Sequence, residues 1–172
     1  MSRIVWIHVP LCLALITIAA IPVRADVVLD WNAYAASAIV SVGGQVPPRA
    51  LIRLAMVHLA MYDAVNAIEG TPFESYSGTL RVERPASAEA AAVTAAYHVL
   101  VALFPAQMAD LDAKYAASLA ALPDDDGAKV NGVAVGQRAA SAILAARAQD
   151  GRDATVTYVP GSGPGVWQPT QS

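Results

Sequence analysis

The sixteen residues from Arg53 to Ile68, RLAMVHLAMYDAVNAI, constrain this chain more than any other stretch. Their apolar side chains do not keep to one side. With Leu51 just ahead of them, Leu54, Ala55, Leu59, Met61, Val65 and Ile68 leave almost no wholly polar face, the pattern of a helix buried all round. Arg53, His58, Asp63 and Asn66 must then find partners indoors, because a buried ionised group costs several kcal/mol unless it is paired. Arg53 is expected to meet a carboxylate, Asp63 or another. A membrane span is a poor alternative, since Arg53 and Asp63 would each cost roughly 2.5–3.5 kcal/mol on insertion.

The rest of the chain supplies helices to surround it. Asp30 reads as the cap of a first helix, about Trp31 to Val42, stopped by Gly43-Gly44. Pro47-Pro48 opens the second helix, which ends near Ile68. Gly70, Pro72, Gly78 and Pro85 mark residues 69–85 as a loop. Ser87 caps a third helix with Glu89 in its first turn, and Val93, Tyr97, Leu100 and Phe104 form its core stripe. Pro105 ends that helix and opens a fourth, striped by Met108, Leu111, Tyr115, Leu119 and Leu122, with Asp110 and Lys114 paired on its wet side. Asp124-Asp125-Asp126-Gly127 leads into a fifth helix reaching about Gln149. There Gly132, Gly136 and Ala140 make a face bare enough for close approach by another helix. After Arg152 the prolines and glycines predict a loosely held tail. The expected fold is all-α, a bundle of about five helices in residues 31–149. Alanine supplies 37 of the 172 residues, so its helices must pack closely and depend on a few large side chains.

Residues 1–25 read as a secretory signal peptide: Arg3 gives the positive end, Ile4 to Ile21 is apolar, and Val23-Arg24-Ala25 satisfies the small-residue cleavage rule. The competing reading is an uncleaved membrane anchor. Cleavage would leave residues 26–172 as one domain in the periplasm or outside the cell, with Cys12 removed and no disulfide possible. Nine basic residues would then face fourteen acidic ones, a formal charge of −5. That balance argues against nucleic acid and against anionic membrane surfaces as partners.

The candidate chemistry is sparse. His58 and Asp63 lie five apart, about 140° around a helix, and diverge instead of converging on one ligand. Structural roles suit both, with His58 hydrogen-bonded and Asp63 paired to an arginine or capping another element. His98, beside Tyr97, reads as a packed histidine. Residues 124–126 lack the alternating acidic spacing of a calcium loop and read as a cap for the fifth helix. Gly161-Ser162-Gly163-Pro164-Gly165 has the glycine density of a phosphate cradle but neither the strand before nor the helix after. No catalytic, cofactor-binding or metal-binding residue is assigned.

A family resemblance runs along the chain. Asp30-Trp31-Asn32, Pro47-Pro48-Arg49, the Arg53–Ile68 run, Ser87-x-Glu89-Ala90-Ala91, Leu103-Phe104-Pro105, Tyr158-x-Pro160 and Gly165-x-Trp167-x-Pro169-Thr170 follow one another as in exported bacterial vanadium-dependent haloperoxidases, which this chain resembles after residue 26. The resemblance implies kinship with the type-2 phosphatidic acid phosphatases, an all-helical fold, and vanadate held among lysine, arginine and histidine, on which peroxide oxidises a halide. The oxyanion motifs of that family, K-x6-R-P, P-S-G-H and S-R-x5-H-x3-D, are absent from these 172 residues. Lys129 to Arg138 has eight intervening residues and Ala139 where proline belongs; Pro160-Gly161-Ser162-Gly163 lacks the histidine. The resemblance is therefore to the amino-terminal helical half alone.

Two functions follow as expectations. In the first, the chain is the scaffold half of a haloperoxidase-like or acid-phosphatase-like enzyme. Vanadate belongs to full-length relatives, no cofactor is expected on this chain alone, and the partner is the missing carboxyl-terminal half. In the second, it is an exported non-catalytic helical module acting by association, with itself or another chain. A contiguous exposed apolar surface would favour the first.

Overall fold

The computed structural model describes residues 26–70, 73–123, 127–155, 157, 159 and 161–168. The expected signal peptide, Asp124–Asp126 and Tyr158, Pro160, Pro169 and Thr170 of the resemblance lie outside them. Five α-helices make up the fold, with no strand among the described residues: α1 (Val27–Ala36), α2 (Pro47–Glu69), α3 (Ala88–Leu103), α4 (Met108–Ala121) and α5 (Ala128–Ala146). The expected all-α bundle is what the chain forms.

The first helix begins four residues earlier than the capping argument places it. Asp26, not Asp30, is the cap, its Oδ1 accepting from the Val28 N–H at 2.9 Å. Asp30 instead sits in the first turn, where its charge favours the positive end of the helix dipole. A wider π-helical stretch, Ser37–Val42, carries the chain to Gly43. α2 starts on Pro47-Pro48 and ends at Gly70. Ser87 caps α3, its Oγ accepting from the Ala90 N–H at 3.1 Å. Pro105–Gln107 forms one 3-10 turn, across which α4 leaves α3 at 119°. Position N-cap of α5 is taken by Gly127 and not by an aspartate, and the helix stops at Ala146, three residues short of the expected end.

The expectation that α2 is buried all round is not met. Leu51 is 66% exposed and Tyr62 39%, while Met56, Val57, Ala60, Met61, Ala64 and Ile68 face the core. The helix at the centre is α3, where every residue from Ala90 to Ala96 is buried, as are Val99 and Leu100. Side-chain size accounts for the exchange. Alanine lets neighbouring helices close on α3 from several sides, whereas the larger residues around α2 present more surface than two neighbours can cover. α2 packs on α3 and α5, and it is also long and apolar enough to cross a membrane by length and composition.

The bare face of α5 meets α3 as its glycines require. A Cβ on Gly132 would fall 2.3 Å from the Ser87 carbonyl oxygen, and one on Gly136 would fall 2.4 Å from that of Ala91. These two positions admit only hydrogen at this spacing. The large residues that fill the core are Trp31, Ile39, Met56, Leu100, Leu111 and Ile143.

Candidate functional site

Arg53, His58, Tyr62, Asp63 and Asn66 of α2 all have partners, and the partners explain their placement. Asp63 is 1% exposed, and its two carboxylate oxygens accept from the backbone N–H groups of Tyr76 and Ser77, each at 2.8 Å. It therefore fastens the loop between α2 and α3 and does not pair with Arg53. On the same side Tyr62 Oη donates to the Glu74 carbonyl at 2.9 Å, and Asn66 Nδ2 donates to that of Phe73 at 2.8 Å. Farther along, Arg84 donates to the Ile68 carbonyl at 2.6 Å, Arg138 to that of Arg81 at 2.7 Å, and Asn131 to that of Pro85 at 2.7 Å. The loop between α2 and α3 is thus tied to α2 at one end and α5 at the other.

His58 meets Asn32 of α1, its Nε2 donating to Oδ1 at 2.9 Å. The divergence of His58 and Asp63 read from their spacing holds: one faces α1 and the other the loop. Among the described residues no three of His, Cys, Asp and Glu gather closely enough to hold a metal ion.

The carboxylate that Arg53 meets is Asp153, at 3.3 Å and 100 residues along the chain. Asp153 is 56% exposed at its side chain, so the pair contributes at most about 1 kcal/mol. Arg53 also donates to Gln45 Oε1 and lies over the Phe104 ring, 5.5 Å from its centroid. The fold gathers three basic residues here. Arg147 and Arg152 flank Asp150, at 2.8 and 3.1 Å, and Arg152 lies 3.3 Å from Asp153. The signal was the alternation of sign in RAQDGRD, residues 147–153. A backbone N–H of Arg152 and then the two guanidinium groups hold the Asp150 carboxyl below its ordinary range. Residues 147–153 are in this way held against α2.

A third grouping is aromatic. Trp31, fully buried, meets Tyr34 and Tyr97 edge-on and donates from Nε1 to Ser118 Oγ at 3.1 Å. Tyr97 stacks on Tyr115 with centroids 4.2 Å apart and donates to Asp112 at 2.6 Å. That bond to a carboxylate, helped by burial, pushes the Tyr97 phenol up to about 12. His98 sits edge-on to Tyr97, and burial pulls its imidazole below the usual histidine value. It is the packed histidine its position suggested.

None of these groupings fits a vanadate or phosphate ion. A tetrahedral oxyanion needs several cationic donors converging on open space. The guanidinium groups of Arg53, Arg147 and Arg152 already engage Gln45, Asp150, Asp153, the Arg147 carbonyl and the Tyr76 hydroxyl. Arg138, the nearer half of the imperfect K-x6-R-P, is occupied by the Arg81 carbonyl. Comparison with models of protein families, with curated proteins and with solved structures finds no match to this chain.

Proposed function

We propose that this chain is the helical scaffold half of an exported protein of the vanadium-dependent haloperoxidase kind, carrying none of the oxyanion ligands itself. The observation that carries the reading is what the motif residues do. Trp31 fills the core, Asn32 holds His58, Asp63 ties down the loop, Ser87 caps α3, and Phe104 lies beneath Arg53. These five residues fasten helices and loop, as a scaffold requires. The exposed Leu51 near the start of α2 also suits a helix end that another part of an enzyme covers.

The second reading, an exported non-catalytic module, draws on a different observation. The five helices enclose one continuous core from Trp31 to Ile143, enough to fold without a further half. Reading the coding DNA downstream of Ser172 in all three frames separates the two. K-x6-R-P, then P-S-G-H, then S-R-x5-H-x3-D, is the expected finding; a downstream sequence without them favours the module.

A further inference from the structure

A pocket of about 450 Å³ opens beside α2, and it belongs to none of the groupings above. Met61 and Val65 of α2 form its floor, Val28 of α1 one wall, and Phe73 of the following loop the other, with Tyr62 at the rim. Its lining is almost wholly apolar. Of the polar groups that border it, His58 Nε2 bonds Asn32, and the Asn66 amide and Tyr62 hydroxyl donate to the carbonyls of Phe73 and Glu74. No carboxylate, lysine or arginine lines it.

We infer that this pocket binds one small, uncharged, apolar ring compound. Three observations lead to that class. First, the volume lies within the ~300–1,000 Å³ range of small-molecule sites. Second, the lining offers no charged partner and no uncommitted amide, so an ionised ligand would lose its hydration without compensation. Tyr62 and Phe73 supply ring faces, and Met61 supplies a side chain that adapts to irregular shapes. Third, the wall is pre-formed. Asp63, buried at 1% exposure, holds the Tyr76 and Ser77 amides, and Tyr62 and Asn66 hold the two residues before them. A loop held by four hydrogen bonds keeps an apolar wall open to solvent, with Phe73 64% exposed on it. Without an occupant that surface is a standing cost. The inference does not depend on the haloperoxidase reading.

The test is a fluorescence titration of the full chain with neutral N-phenylnaphthylamine. Two variants carry the comparison: Val65→Trp fills the pocket floor, and Val130→Trp adds the same bulk on α5 at a 71% exposed position outside it. Both retain residues 1–25, so probe taken up by that apolar stretch cancels between them. Saturable binding of one probe per chain is expected, weakened at least tenfold by Val65→Trp and unchanged by Val130→Trp. Phe73→Ser, on the exposed loop, should weaken binding several-fold with an unaltered far-ultraviolet circular dichroism spectrum, and it decides the matter if Val65→Trp does not fold. Equal affinity in all three variants overturns the inference. So does preference for the anionic anilinonaphthalene sulfonate, or a chain that dimerises and excludes the probe.

Discussion

An aspartate at 1% exposure in an apolar helix survives only because two backbone amides and their loop come to it. Asp63 therefore couples the chemistry of one side chain to the position of a whole segment. Replacing it with alanine removes two charge-assisted hydrogen bonds and leaves two amides to find water. Asp63→Ala should lower stability in urea unfolding by about 2–4 kcal/mol, with the Tyr76 and Ser77 amides losing their protection from hydrogen exchange. Unchanged protection at those two amides would show that the loop is held by something else. His98 works in the opposite sense, through a cost. Burial depresses its folded pKa below the unfolded value of 6.5, so as pH falls the unfolded chain takes up the proton first. Its neutral form is accommodated fully above that value, and stability declines as pH drops through 6.5 toward the folded pKa. The melting temperature of the native sequence should fall more steeply than that of His98→Gln between about pH 7.5 and about pH 5. Parallel curves would remove His98 from the account.

Among the elements, the pairing of α3 with α5 is the contact that size alone dictates. Gly136→Ala gains about 1 kcal/mol in helix propensity, yet its Cβ meets the Ala91 carbonyl oxygen at 2.4 Å. The clash should win, giving a net loss on the order of 1–3 kcal/mol in the urea midpoint. A net gain would mean that the two helices are free to part. The close approach, though not the identity of the partner helix, was legible in the sequence, because glycines four apart say where another backbone can come close. The α3 cap at Ser87 and the proline entry to α2 were legible for a similar reason, since each rests on residues adjacent in the chain. The cap of α1 was misread because Asp26 and Asp30 are equally good caps locally, and only the packing of Val27 and Val28 against the core decides between them. The exchange of centre between α2 and α3 was illegible for a different reason. Apolar residues on every side show that a helix can be buried, but how many neighbours reach it depends on their bulk. Of the candidate sites, the divergence of His58 and Asp63 followed from helical geometry. The gathering of Arg53 with residues 147–153 did not, because it joins positions 100 apart.

At the scale of the whole molecule, the fold is a core of small residues locked by a few large ones. Arg53, Arg147 and Arg152 gather in one place, and their partners Asp150 and Asp153 leave the group nearly neutral. On the function proposed above, no vanadate or phosphate binds to these helices. Thermal unfolding of the chain with and without millimolar vanadate tests that claim most directly. A ligand at a hundred times its dissociation constant adds about 2.7 kcal/mol to the native state, which for a chain of this size raises the melting temperature by roughly 5–10 °C. The account predicts superimposable curves; a rise of several degrees would contradict it and would place an anion site within these helices.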